Sequence, residues 1–196
     1  MTTAALSRGA VDVAALERYL RVLAGPAPSV RLLEIRFALR YRDMGRLFIA
    51  AHNAYGAGRL IRRLAVRTDV YVGVCLRSRR SGGRDAIAEA HLAFVEIDSP
   101  DALDRLRAFR HPPTMIVSSG SPGHAHAYFA LSAPVSASEL ERANRRLAHA
   151  LGGDLASVDA ARILRLLSAR RAITDDVSPA RSFADASVTG REAGDE

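Results

Sequence analysis

From Leu92 to Asp98 the chain reads Leu-Ala-Phe-Val-Glu-Ile-Asp, an apolar run that ends in two carboxylates one residue apart. Aromatic and β-branched residues at this density favour a strand, and Ser99-Pro100 closes it. Side chains alternate along a strand, so Glu96 and Asp98 share one face. Neighbouring carboxylates repel unless a cation lies between them. Hard oxygen donors at this spacing suit Mg²⁺ or Mn²⁺ rather than zinc. The competing reading is a plain strand end, with Asp98 capping the helix that opens at Ser99-Pro100.

The rest of the chain interleaves helical and extended patterns. Val13, Leu16, Leu20 and Leu23 recur at helical spacing over Val11 to Leu23, which stops at Gly25-Pro26. Val30 to Leu39 reads as a strand, followed by a turn at Asp43-Met44-Gly45 and a short strand from Leu47 to Ala50. Asn53 can cap a helix to about Val66, with Leu60, Ile61 and Leu64 inward. Val70 to Leu76 predicts a buried strand. A basic loop follows, Arg77 to Arg84, read either as a solvated turn or as a contact to a template backbone. After Pro100 a helix is expected to about Phe109. Thr114 to Val117 and His124 to Leu131 then form a hairpin around a serine- and glycine-rich turn. Ser138 to Leu151 predicts an amphipathic helix stopped by Gly152-Gly153, and a last helix is expected over Val158 to Leu167. This order predicts an α+β domain: a mixed, largely antiparallel sheet with helices packed on it.

The chain's 196 residues suit one domain, expected over residues 1–171, with residues 172–196 as an acidic, disordered tail. The charges are unevenly placed along the same division. The formal net charge is +7, and every cation is arginine. Residues 172–196 hold two arginines against six acids, a net of −4, which leaves +11 on residues 1–171. A domain that basic favours a polyanionic partner, though an arginine-rich solvated surface gives the same number. No apolar run approaches the roughly 18 to 20 residues that span a bilayer, and the N-terminus has no secretory pattern. Cys75 is the only cysteine, in an apolar run. It can form no disulfide within the chain and fits a cytoplasmic location.

Two further elements carry chemistry. His124, His126 and Tyr128 alternate on one strand face behind the turn Ser119-Gly120-Ser121-Pro122-Gly123, whose glycines can let backbone amides approach a phosphate. An edge-strand polar surface is the rival account, weaker for His126. Downstream, Asp159 and Arg162 stand three apart, as a helical surface pair worth at most about 0.5 kcal/mol would. Arg162 and Arg165 would then share a helix face and could grip phosphates together.

In this order, the acid-x-acid strand, the turn from Ser119 through Gly123 to His126-Ala127-Tyr128-Phe129, and the stretch Gly153-Asp154 … Asp159 … Arg162 … Arg165-Leu166 resemble the RepB-type plasmid and phage primases of the archaeo-eukaryotic primase superfamily. The resemblance covers about Asp69 to Leu166. It implies a catalytic core related to the RNA-recognition fold and templated nucleotidyl transfer with two divalent metals, Mg²⁺ or Mn²⁺. The implied metal ligands and catalytic acids are Glu96, Asp98 and Asp159, with Asp154 in reserve for the third. Ser119, Gly120, Gly123, His126, Arg162 and Arg165 would bind the nucleotide. The implied partners are a single-stranded DNA template, nucleoside triphosphates and a replicative helicase.

The chain departs from the family pattern in two places. Glu96 stands where an aspartate is usual. After Leu166 the chain reads Leu-Ser-Ala-Arg-Arg-Ala rather than a Pro-Gly-Thr-x-Asn-x-Lys-like segment. Two alternatives therefore stand beside the enzyme: a nucleic-acid or nucleotide-binding module without turnover, and a nicking endonuclease using His124-Ala125-His126. The second lacks a tyrosine beyond the motif strand.

Overall fold

The computed structural model describes residues 13–25, 30–39, 43–118 and 123–167. The acidic tail and the segment after Leu167 lie outside them.

The amphipathic helix α1, Val13–Ala24, buries Leu16, Tyr19, Leu20 and Leu23. It is followed by an antiparallel pair, β1 (Leu32–Ala38) and β2 (Met44–Ala50), in register from Leu32 opposite Ala50 to Ala38 opposite Met44. Asn53 caps α2, Ala54–Ala65, by accepting the Gly56 amide at 2.9 Å. The short strand β3, Val70–Gly73, pairs antiparallel with β1.

Strand β4, Ala90–Ile97, leads into α3, Pro100–Arg107, whose cap is Ser99. Then come β5, Met115–Ser118, and β6, Ala125–Val135. Helix α4, Ala137–Leu151, opens with a capping box: Ser136 and Glu139 each serve the other's backbone amide. It ends at Gly152 in the left-handed region, φ +70°. The fold closes with β7, Ile163–Leu167.

The class is α+β, and the strands divide into two sheets ordered β2-β1-β3-β7 and β4-β6-β5, with every pairing antiparallel. One continuous apolar core joins them. Helix α1 links α2 to the second sheet. It packs on α2 beneath the first sheet, and its Tyr19 meets Tyr128 of β6 edge to face, hydroxyls 3.2 Å apart. Burial pushes the Tyr19 phenol up to about 12 and Tyr128 well above its ordinary value, so both stay neutral hydrogen-bonding groups.

The segment expected as a last helix is instead β7. Asp159 and Arg162 at a three-residue interval suggest a helix, but the chain from Ile163 alternates: Leu164 and Leu166 are buried while Arg165 is exposed. The open edge of β3 supplies the missing ladder, with Val72 opposite Leu164 and Tyr71 opposite Arg165. Long-range pairing overrides the local spacing here.

The basic loop is likewise more structural than its composition suggests. Arg77 is fully buried and bonded to the equally buried Glu34 of β1, through Nε at 2.9 Å and Nη2 at 2.7 Å. Arg77 also donates to the Ala161 carbonyl at 3.2 Å, tying the segment before β7 to β1. Arg79 pairs with Asp85, and Arg84 with Glu141 of α4. Both of these pairs lie at the surface, with each arginine more than half exposed.

Breaking one half of the Glu34–Arg77 pair leaves an uncompensated buried charge, at a cost of about 3–5 kcal/mol. Glu34→Ala should therefore lower the urea midpoint strongly. Glu34→Leu combined with Arg77→Met should recover part of the loss, since Arg77 is then no longer a stranded buried charge, while Arg36 and Arg46 still lack their carboxylate.

Candidate active site

The site lies where β4 and β6 run out together. Their register sets Glu96 opposite His126 and Ile97 opposite Ala125, so one step further Asp98 meets His124. The contacts follow. His124 Nδ1 lies 3.1 Å from Asp98 Oδ1, and His126 Nε2 lies 3.6 Å from Glu96 Oε1. Two acid–histidine pairs thus stand side by side on one sheet face. The inner histidine is 2% exposed and the outer Asp98 47%, so the face grades from core to solvent. Since Ser99 makes the α3 cap, accepting the Ala102 amide at 3.2 Å, the Asp98 side chain is left to His124.

The glycine turn before β6 is described only from Gly123; Ser119 and Gly120 lie outside the described residues. Gly123 has φ +77°, and a Cβ there would stand 3.3 Å from Pro100 Cγ. Glycine is needed both for the left-handed backbone and for close approach to the start of α3.

A second wall is built by the chain after α4. A side chain at Gly153 would lie 2.7 Å from the Glu96 carbonyl oxygen, a space that only glycine leaves open. The Asp154 amide donates to that same carbonyl at 2.9 Å. The turn is thereby stapled to β4 directly behind Glu96. Asp154 spends its carboxylate on the 3-10 turn Leu155–Ser157, accepting the Ala156 amide at 2.8 Å and the Ser157 hydroxyl at 2.6 Å. Buried Asn144 of α4 closes the free edge of β4. Its Oδ1 accepts the Phe94 amide at 2.9 Å, and its Nδ2 donates to the Val158 carbonyl at 3.2 Å.

Glu96 feels this whole surround. His126 acts most strongly, drawing the carboxyl down to about 2. The Ser157 hydroxyl and the charge of Arg162 add to the effect, against burial, which works the other way. At 3.6 Å the His126 contact is longer than a formed hydrogen bond. Its influence is that of a close donor aimed at the carboxylate.

Arg162 Nε lies 3.0 Å from Asp159 Oδ2 as an ion pair, without the alignment of a hydrogen bond, and Nη2 donates to the Ala156 carbonyl. Arg165 does not join it. Three residues apart share a helix face but fall on opposite faces of extended chain. Arg165 instead lies over Tyr71, 5.6 Å from the ring centre, with Asp69 3.9 Å from its Nε. Of the residues singled out from sequence, then, Glu96, Asp98, His126 and Arg162 are linked around one strand end, and Gly123 shapes its rim. Sequence reasoning missed Ser157 and Asn144, single polar residues in unremarkable contexts. For His124 it kept a polar edge-strand surface as a serious rival account; the β4–β6 register is what sets it beside Asp98.

Glu96 and Asp98 offer the hard oxygen donors that Mg²⁺ or Mn²⁺ takes. Among the described residues no group of three histidine, cysteine or acidic side chains is gathered as a metal site. The pair therefore fits such an ion in donor chemistry.

No protein-family model matches the chain, and no curated protein matches it. Solved structures do. The catalytic domain of primase RepB′ in complex with initiator DNA is 19% identical, with a TM-score of 0.60 over 81% of this chain and 78% of that one. The AEP domain of the cyanophage S-2L primase-polymerase is 17% identical, with a TM-score of 0.62 over 81% and 83%. Against a longer structure of primase RepB′, at 18% identity and a TM-score of 0.59, this chain spans 49% of that protein. The chain shares its fold with these primase and primase-polymerase domains.

Because Glu96 is held below its ordinary value of 4.5, its ionised form lends stability that is fully present above about pH 4.5 and is lost as pH falls towards 2. In metal-free protein, the stability gap between wild type and Glu96→Gln should therefore be largest near neutrality and close progressively below pH 4.5. Urea midpoints at several pH values would show it.

Proposed function

We propose that this chain is a metal-dependent nucleotidyltransferase of the primase-polymerase type, acting on nucleoside triphosphates with a single-stranded DNA template. The observation that carries the reading is the paired arrangement Glu96–His126 and Asp98–His124 at the end of one strand pair, in a fold shared with primase catalytic domains.

Mg²⁺ or Mn²⁺ would be held by Glu96 and Asp98, with Asp159 as the third carboxylate. When bound it would neutralise triphosphate charge and lower the pKa of the attacking hydroxyl. The chain's own groups do the positioning. Glu96, ionised across the physiological range, keeps a fixed negative charge at the strand end. His126, almost wholly buried and held in one place by the β6 ladder, directs Nε2 at Glu96, and would contact a phosphate oxygen brought up to that carboxylate. Arg162, anchored through Asp159 and the Ala156 carbonyl, adds a fixed cation for the triphosphate. Ser119 and Gly120 would supply amides to the same phosphates. In the reaction a 3′-oxygen bonds to the α-phosphorus, the bond to the bridging oxygen breaks, and pyrophosphate leaves. A replicative helicase would be the working partner of such an enzyme.

A second reading is a nucleic-acid-binding module without turnover, which rests on the departure from the primase pattern after Leu166.

Primer synthesis or extension on a single-stranded template, with Mg²⁺ or Mn²⁺, separates the two. The enzyme reading expects metal-dependent product that falls by about two orders of magnitude or more in Asp98→Ala, as loss of an electrostatic catalytic group does. Product surviving at wild-type level in Asp98→Ala would sink the assignment. Oligonucleotide binding with no product under any metal would establish the module.

A further inference from the structure

The outer face of the first sheet, turned away from α1 and α2, carries a row that crosses all four strands. Arg46 of β2 is opposite Arg36 of β1, Arg36 is opposite Tyr71 of β3, and Tyr71 is opposite Arg165 of β7. At the usual strand spacing these four positions span about 14 Å. Arg46 and Arg165 are nearly half exposed, at 44% and 48%. The Arg165 guanidinium lies over the Tyr71 ring.

Directly opposed like charges destabilise a sheet, and Arg36 and Arg46 are held together by one buried carboxylate. Glu34 Oε1 accepts Arg36 Nε at 2.7 Å and lies 3.2 Å from Arg46 Nε, while its other oxygen is taken by Arg77. Gly82 seats the basic loop on this cluster, since a Cβ there would fall 2.6 Å from Glu34 Oε1 and from Arg36 Nη2. Exposed Arg80 stands two residues away. Four arginines (Arg36, Arg46, Arg77 and Arg165) face two acids, Glu34 and Asp69, so the row keeps two positive charges in excess. A buried ionic cluster is a poor way to gain stability, since apolar residues of the same volume commonly do as well. What this one does is hold the part-buried Arg36 beside the half-exposed Arg46 at the sheet surface.

We propose that this face is a binding track for single-stranded nucleic acid, separate from the Glu96–Asp98 centre. The arginines fit the phosphate backbone, and the Tyr71–Arg165 stack offers a flat surface for a base. A single strand suits it better than a duplex, because a broad sheet cannot enter a groove while unpaired bases can lie flat on it. The inference rests on the primase-type reading only for the identity of the polyanion; the surface needs neither metal nor turnover.

The test is fluorescence anisotropy of a labelled oligothymidylate with the full chain in EDTA, over a range of salt. Wild-type affinity should fall as salt rises. Arg46→Glu with Arg165→Glu should weaken binding by about tenfold or more and lower the salt slope by about 1.4, at about 0.7 per single-strand phosphate contact. Arg107→Glu, a single reversal at an exposed α3 arginine paired with Asp104, should have much less than half of that effect. Tyr71→Leu should weaken binding while leaving the salt slope unchanged. If the charge reversals lower the melting temperature, Arg46→Gln with Arg165→Gln gives the same comparison with less disturbance.

Wild-type affinity in both double variants overturns the track. So does equal loss in Arg107→Glu, or polyglutamate competing as well as oligothymidylate. Normal EDTA binding in a chain that makes no primer would sink the catalytic reading and leave this one standing.

Discussion

The β4–β6 register is the constraint on which the rest of the site depends. A strand slipped by one residue turns every side chain to the other face. Here the slip would send Glu96 and Asp98 into the packing against α4 and bring Val95 and Ile97 out. The register is fixed from both sides. Phe94 and Tyr128 face each other in the core, with Tyr19 locking the tyrosine from above. Asn144 and the Asp154 amide pin the free edge of β4 from behind. The two acid–histidine pairs are the consequence at the strand end, where the ladder stops and solvent begins.

The arginines divide by what holds them. Arg77 is internal and belongs to the framework: it joins β1 to the segment leading into β7, and so connects the first sheet to the chain that passes Glu96. Arg79 and Arg84 are paired with Asp85 and Glu141. Arg162 is paired with Asp159 and its charge reaches Glu96, and Arg36, Arg46 and Arg165 are spread over one face of the first sheet. An overall charge of +7 conceals this partition. Net charge bears on partners through where the charges are held, and burial removes a cation from that role as surely as mutation would.

Much of the site was legible because its signals are local. Alternation along Phe94-Val95-Glu96-Ile97-Asp98 and along His124-Ala125-His126 decides which residues share a face, whatever the strands pair with. The segment from Asp159 to Leu166 misled because two periods overlap in it. Asp159 and Arg162 match a helical ion pair, and they do pair, but within a turn. Leu164-Arg165-Leu166 alternates as a strand does, over a stretch too short to win without a partner edge. Glu34 gave no warning at all. It sits in an apolar strand, and its three arginine contacts come from positions 2, 12 and 43 residues away.

By itself, then, the sequence determined an α+β chain with a basic body, an acid pair and a histidine pair each confined to one strand face, and capped helices between them. Those features follow from propensity, alternation and capping, which act over a few residues. Only the tertiary structure decided that Glu96 faces His126, that the last segment becomes the edge of the first sheet, and that Arg162 and Arg165 part company. Each of these depends on pairing between strands or turns distant in sequence, where the free energy comes from closing a ladder or burying a face.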